Sequence, residues 1–547
     1  MRPSTIEPQP TEKPVTILHP KPLGNGGLVT RDLFRSFWML PSSDDDSIRI
    51  GIIPSSEKIR IRTQYHFVIR VYGEHESWDI SSPGNVTWEF EYQTAMRPPV
   101  LRYLVTVQES AVQDVQTLQA ASLQPWIDRG YGQAQWLGPP KMDAWQENDE
   151  LKRYFLTLNV EQDKETAETL CKSISKKYFQ SCRVITRMDL PQIAKVKLHA
   201  LESNYEKEYE GVFEIIPQKK DFVQVFDIKS SLLSDNRESL TFKPRVFIVP
   251  NLENELSLVQ STSLGEYLKS VVPSEIFPNA PIDALKAQAV IARTYSFQTK
   301  YHYSDKPFLT CASTLCQVYL GEKTKNKSTS RAIEQTKNMV LKEDNGLFAE
   351  TFYHAISGGM TDVKSLVLGG SDKSYLHGTN DMLDKETFDL KNNEDVQQYL
   401  RADLPTYCSI SRFSKATHWT YEFNQPEIKT FLDKAGLKPP LKSITVLKRG
   451  ISGRATSMKI KTALAEKIIT GELQIRSLLG GLPSSLIVFQ PAMSGGSIRS
   501  FTVLGRGNGH GVGLSQLGAI GRALKGQEFE EILDAYYPGT NLSQIQP

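Results

Sequence analysis

Residues 264–299 read LGEYLKSVVPSEIFPNAPIDALKAQAVIARTYSFQT, and the alternation of helix formers and breakers in this stretch decides the fold around it. Leu264, Tyr267, Leu268 and Val271 recur at helical spacing, and Pro273 is predicted to stop that helix. Ser274 to Pro278 is too broken by proline for a long regular element. A second helix is predicted from Asp283 through the run Ala284–Thr299, which is rich in Ala, Leu, Gln and Lys. Leu285, Gln288, Ala289 and Ala292 share one face of it, while Gln288, Arg293 and Tyr295 add polar groups to a mostly apolar rod. Glu275 is therefore expected on a short, proline-braced corner between two helices. Ile276 and Phe277 beside it would raise its pKa, as a general acid requires. The same position also suits a solvated loop acid or a capping group.

Upstream of the helical pair the pattern is β. From Asp46 to about Tyr92 the runs SIRIGII, EKIRIRT and YHFVIRVYG alternate apolar and polar residues, and a second β block returns near Phe242 in FKPRVFIVPNLENELSLVQ. One domain split by an insertion accounts for both. The insertion, 98–221, carries an internal repeat. Strands starting at Arg102–Val107 and Arg153–Leu158 are each followed by an amphipathic helical stretch, Gln113–Ala121 and Ala167–Lys177. Each unit then returns to a strand, Gly132–Leu137 and Cys182–Thr186. Residues 1–30, rich in Pro, Gly, Thr and Glu, read as a flexible tether. The expected class is α+β and multi-domain.

At 547 residues the chain has room for several cores. Its 64 basic and 62 acidic residues nearly cancel, which argues against a dedicated nucleic-acid or anionic-membrane binder. No apolar run approaches a membrane span, and the start, MRPSTIEPQPTEKP, has no export-signal core; a chain that works outside the membrane would have Met1 in place of a removed leader. Five cysteines make no disulfide scaffold in a chain this long. Cys171 with Cys182, and Cys311 with Cys316, each suit pairing in an oxidising compartment, and Cys408 is left over.

Two glycine-rich stretches remain. Phe352–Thr361, FYHAISGGMT, reads as a strand running into a Gly358–Gly359 turn, with Tyr353, Ser357 and Thr361 offering aromatic and hydroxyl groups to a sugar. Gly505–Gly513, GRGNGHGVG, precedes a helix over Leu514–Leu524. Its glycines never give GxGxxG, and no Gly-Lys-Ser/Thr follows, so neither a dinucleotide loop nor a phosphate loop fits. Alternate glycines leave room beside His510, which could then bond a substrate oxygen or orient Glu275, close to Ser515 and Gln516.

The words EYLKSVVPSE, ALKAQAVIARTYS, CQVYLG, FYHAISGGMT, LKRGISGRA and GRGNGHGVGLSQLGA, followed by YYPGT, occur in one order over most of residues 240–547. Together they resemble the SpoIID/LytB family, the stage II sporulation protein D group of peptidoglycan enzymes and amidase enhancers. On this resemblance, 46–95 supplies the opening strands of a SpoIID-like domain and 240–547 the rest of its catalytic domain. The insertion is similar to SPOR domains, which bind glycan strands lacking stem peptides. The resemblance implies a lytic transglycosylase that cleaves the MurNAc–GlcNAc bond without water and closes a 1,6-anhydro ring. Glu275 would serve as acid and then base, and Glu266 would be structural. Gln288, Arg293, Tyr353, Ser357, Gly358, Gly359, Thr361, His510, Ser515 and Gln516 would bind glycan. The amidase-enhancer branch implies an alternative, a non-catalytic glycan binder that activates a cell-wall amidase. Both place the chain in the extracytoplasmic cell envelope, with glycan strands as partner and no cofactor. Some family members bind zinc with a His before the second cysteine; Leu315 stands there, so a disulfide or two free thiols is expected rather than zinc.

Overall fold

The computed structural model describes residues 21–22, 47–73, 76–110, 122–137, 154–190, 192–218, 221–228, 239–299, 306–383, 388–402, 404–410 and 417–545. The helix expected at Gln113–Ala121 lies outside these residues, and so does the expected tether 1–30 apart from Lys21–Pro22, which pairs antiparallel with Trp78–Asp79. The chain is a multi-domain α+β protein that divides into two compact units. One holds residues 1–274 and 299–325, the other 275–298 and 326–546.

The first unit is built on mainly antiparallel sheets, with Thr310–Cys311 running parallel to Ser47–Ser56 at one edge. Val68 and Arg70 alternate with buried Phe67, Ile69 and Val71 along strand Phe67–Tyr72, the period-2 pattern of a half-buried strand. That strand lies between Ser77–Ser82 and Val212–Pro217 in an eight-stranded sheet that also contains Ser47–Ser56, Val246–Pro250 and Leu256–Ser263. Val246–Pro250 is buried throughout, as expected of a strand covered on both faces. A six-stranded sheet contains Lys58–Thr63, Trp88–Arg97 and Ile193–Ala200. The edge of the Phe90 ring meets the Phe213 ring, 5.5 Å between centroids, across the two sheets.

Between these strands the chain makes a separate four-stranded antiparallel sheet from Val100–Ser110, Gln135–Leu137, Tyr154–Glu161 and Arg183–Leu190. In chain order the strands lie fourth, first, third, second, and helix Lys164–Tyr178 leads into the last. This is the β-α-β-β-α-β arrangement of ferredoxin-like folds, with 122–127 the described part of the first helix. The module's sheet closes at Leu190. Ile193–Ala200 and Val212–Pro217, within the expected 98–221 insertion, pair with the surrounding sheets because their apolar alternation matches Trp88–Arg97 and Phe67–Tyr72. A Cys171–Cys182 disulfide ties the helix to the segment before the last strand.

In the second unit helix Ile282–Thr299 is covered nearly all round. Ala284, Leu285, Ala287, Val290, Ile291 and Phe297 are buried together with Gln288, Arg293, Thr294 and Ser296. A helix buried on nearly every side belongs inside a domain, and its polar residues are then held among the core rather than confined to one binding face. The C-terminal residues close this unit: Asn541–Gln544 pairs with Met339–Lys342, and Leu514–Ser515 runs parallel to Tyr353–His354. A further core in the same unit joins two three-stranded sheets, Leu441–Arg449/Ala455–Thr462/Glu466–Thr470 and His418–Phe423/Ser497–Arg506/Ile487–Ser494. Phe431, Leu432, Met458, Ile460 and Phe501 are at its centre.

Candidate active site

Pro273 does not end the first helix. The helix runs Leu264–Glu275 with Pro273 inside it, so Glu275 is its last residue rather than part of the corner. A proline in the last turn takes away only one N–H, and the Ser274 hydroxyl donates to the Ser270 carbonyl at 2.7 Å in the same turn. The corner is 276–281. Glu275 is half-buried, with buried Ile276 after it and an exposed Phe277 beyond. Glu266, in the first turn of the same helix, behaves differently. Partial burial alone would lift its pKa, but the ammoniums of Lys243 at 2.5 Å, Lys325 at 2.6 Å and Lys269 at 2.9 Å hold it well below the carboxylate range. A carboxylate clamped by three cations is a structural ion pair, not a proton donor.

The motif words meet in the second unit. Ser357 is buried; its hydroxyl donates to Asp381 at 2.9 Å and its N–H to the Ser515 hydroxyl at 3.0 Å. Ser515 caps helix Gln516–Leu524 by accepting from the Gly518 N–H. The helix expected from Leu514 therefore starts two residues later, because Leu514 and Ser515 are used in the parallel bridge. Asp381 is buried and also takes Arg522 at 2.9 Å and the Tyr536 hydroxyl at 2.8 and 2.9 Å. Ser357 and Ser515 thus belong to a buried polar hub. Thr361 is buried and accepts from the Thr379 N–H at 2.6 Å. Gly359 lies against the Tyr399 hydroxyl, which itself donates to the Gly358 carbonyl. Arg293 donates to the carbonyls of Met339 at 3.0 Å and Ile333 at 3.3 Å from a buried position. These residues lie together, but their described polar contacts are with the chain itself.

His510 is fixed in one tautomer. Its Nε2–H donates to the Tyr353 carbonyl at 3.0 Å, and its Nδ1 accepts the Val512 N–H at 3.0 Å. Both nitrogens are spent on the loop, which leaves neither for a sugar oxygen. Burial and the nearby Arg454 push its pKa down to about 4, so the ring is neutral at neutral pH. His354 lies 5.5 Å away between ring centroids and is buried. Burial first, then His510 and Arg454, push its pKa well below the usual histidine value.

Arg454, from LKRGISGRA, holds these turns together. It is buried, and its guanidinium donates to the Ser357 carbonyl at 3.0 Å, the Ser452 hydroxyl at 3.0 Å and the Met360 carbonyl at 3.3 Å. Buried Asp362 accepts from the Ser452 hydroxyl at 2.5 Å and the Val363 N–H at 2.8 Å, while its own N–H donates to the Gly511 carbonyl at 2.7 Å. Gly511 has φ +81°, and a Cβ there would fall inside the Arg454 guanidinium. The sequence pattern did not single out Arg454, Asp362, Asp381 or Arg522, since nothing local marks a polar residue as buried.

Three of the expected residues keep groups toward a surface or one another. Tyr353 is half-buried, its ring 6.4 Å from that of Tyr295. Gln516 donates to Gln288 Oε1 at 3.4 Å, two buried amides joined 228 residues apart. In the first unit, Cys311 and Cys316 form a disulfide.

Comparison with known proteins bears on the stretch that holds Glu275. Residues 252–342 match the Stage II sporulation protein family, SpoIID, and residues 364–513 match a domain family of unknown function. The chain is 30% identical over 300 residues to the amidase enhancer of Bacillus subtilis, covering 50% of this chain and 40% of that protein. It is 27% identical over 320 residues to stage II sporulation protein D of the same organism, covering 56% of this chain and 81% of that protein. An uncharacterized protein of Brachyspira hyodysenteriae is 29% identical over 287 residues, with 52% and 68% covered. The helical segment around Glu275 is thus similar to the Stage II sporulation protein family, and the chain about it to an amidase enhancer and to stage II sporulation protein D.

Proposed function

We propose that the chain is a peptidoglycan lytic transglycosylase of the cell envelope, with Glu275 as general acid and base. The observation that carries the reading is the position of Glu275. It is a half-buried carboxyl at the last turn of a helix, followed by buried Ile276, inside the segment that matches SpoIID. Glu275 protonates the glycosidic oxygen between MurNAc and GlcNAc. The carboxylate then takes the proton of the C6 hydroxyl as that oxygen closes the 1,6-anhydro ring, so one carboxyl serves both steps. Two-acid hydrolysis would need a second carboxylate about 5–10 Å away. Tyr353 offers a ring face to the sugar. The buried framework of Ser357, Thr361, Ser515, Arg454 and His510 holds the turns rather than the glycan. The ferredoxin-like module, similar to SPOR domains in its repeat, retains glycan strands.

A second reading, a glycan-binding activator of a cell-wall amidase, is favoured by the relative named amidase enhancer. One experiment separates them. The pure protein is incubated with glycan strands stripped of peptide, and the products are analysed by mass for anhydro ends. Glu275→Gln keeps size but cannot exchange the proton, so cleavage should fall by about 10²–10⁴, with the melting temperature measured beside it. A folded variant that cleaves at the wild-type rate removes Glu275 from the mechanism. A wild type that releases nothing yet accelerates an amidase establishes the second reading.

A further inference from the structure

The part of the second unit that matches a family of unknown function contains a cavity of about 670 Å³, remote in sequence from the helix that holds Glu275. Its size falls in the range of small-ligand sites, about 300–1,000 Å³. Its floor is apolar and buried: Ile428 from helix Gln425–Ala435, Leu441 at the start of one sheet, and Ile498 from the hairpin Ile487–Arg506. Pro439 and Pro440 form a stiff wall, since a proline ring has little freedom to collapse into the space. Lys429 and Arg499 line it as exposed cations, and neither makes an ion pair among the described residues. Among the described residues no Asp or Glu lines the cavity, and no aromatic ring does.

That lining selects its ligand by chemistry. Gln425, Ser494 and Ser497 also line it, and the Gln425 amide N–H groups donate to the Ile498 and Arg499 carbonyls. A sugar site needs ring faces beside such polar groups, and a nucleobase needs a ring to stack on; the described lining residues include no aromatic ring. An apolar floor without aromatics suits side chains of methyl size, and two unpaired cations at one cavity attract carboxylates. We propose that this cavity binds a short anionic peptide with small apolar side chains, the chemistry of the stem peptide that peptidoglycan carries. The inference rests on the cell-wall reading for its choice of peptide, but not on Glu275 or on any cleavage. It gives the chain separate sites for the sugar and for the peptide of one polymer, so that strands with stem peptides make a contact here that stripped strands do not.

The probe is N-acetylated Ala-γ-Glu-diaminopimelate-Ala, titrated calorimetrically into the full chain. Binding should weaken by about tenfold or more in the Lys429→Glu, Arg499→Glu double variant, and several-fold when salt rises from about 0.05 to 0.5 M. Both side chains are exposed, so the double variant should keep its melting temperature; if it does not, Lys429→Gln with Arg499→Gln replaces it and should weaken binding several-fold. An amidated tetra-alanine, without carboxylates, should bind far more weakly. No heat with the wild type, equal affinity in the charge variants, or equal affinity for the neutral peptide would each overturn the assignment. Cleavage of stripped strands is followed in parallel. A protein that cleaves them but ignores the peptide refutes this site alone, and one that binds the peptide but cleaves nothing refutes only the proposed activity.

Discussion

Gly511→Ala tests whether Arg454 is the fixed centre around which the glycine-rich turns are built. Two costs are separable. At φ +81° any residue with a Cβ adopts a left-handed conformation that costs about 1–2 kcal/mol. The added carbon would also lie within the Arg454 guanidinium, which is buried and already bonded to the Ser357 and Met360 carbonyls and the Ser452 hydroxyl. Moving the guanidinium breaks at least one charge-assisted bond of this buried group, about 1.5–3 kcal/mol. The expected loss is about 3–5 kcal/mol, a large share of the ~5–15 kcal/mol that holds a domain folded. Gly539→Ala isolates the backbone cost, because φ there is +75° and a Cβ would meet nothing within 4 Å. Chemical denaturation of both variants, read on the transition of the second unit, should show Gly511→Ala costing about 1.5–3 kcal/mol more than Gly539→Ala. Equal losses would mean that Arg454 steps aside freely, and its role as the clasp would be refuted.

Asp381→Asn leaves Arg522 buried without its counter-charge and weakens the Ser357 and Tyr536 bonds. Unfolding free energy should drop by about 3–5 kcal/mol, and a change under about 1 kcal/mol would show that Arg522 finds another partner. Acid should weaken the second unit earlier than carboxylate titration alone predicts. The His510 pKa is near 4 in the folded chain against about 6.5 unfolded, so between these values the unfolded chain holds the extra proton. Stability should therefore fall as pH drops from 6.5 towards 4, by about 1 kcal/mol per unit, with His354 adding in the same direction. Replacing His510 with Gln should flatten that slope, as read from denaturation midpoints across the range. Cys171→Ser with Cys182→Ser should lower the stability of the ferredoxin-like module by about 2–3 kcal/mol, seen as faster amide exchange in 154–190 while the second unit is unchanged.

The elements that could be read from sequence are those whose signal is local. The doubled strand–helix–strand pattern gave the ferredoxin-like module, since period 2 and period 3.6 are written in consecutive residues. The helices about Glu275 were legible for the same reason. Pro273 misled only because a proline in a final turn and a proline after a helix look alike in sequence. The glycine-rich words were legible as close-packed turns but not in what they pack against. A glycine that admits a sugar and one that admits a guanidinium carry the same letter, and only the position of Arg454 decides for Gly511. His510 was expected to bond a substrate oxygen or orient Glu275; its two bonds to Tyr353 and Val512 depend on a backbone path that no window of sequence contains. Asp362 and Asp381 are two acids among 62 acidic residues, and their burial is a property of the assembled chain.

The joining of Gln288 to Gln516, and of the strand at Met339 to that at Asn541, has a consequence for how the protein is made. Helix Ile282–Thr299 is synthesised long before the residues that complete the second unit, and it is apolar on nearly every side. Contacts this distant in sequence form slowly, because the intervening chain must first be closed into a loop. While the ribosome is still adding the C-terminal residues, that helix has no finished shelter and is a target for holding chaperones. A premature stop after residue 510 would do more than shorten the protein. It would leave the inner helix permanently uncovered, and aggregation or proteolysis of the whole chain, rather than a trimmed but working molecule, is the expected fate.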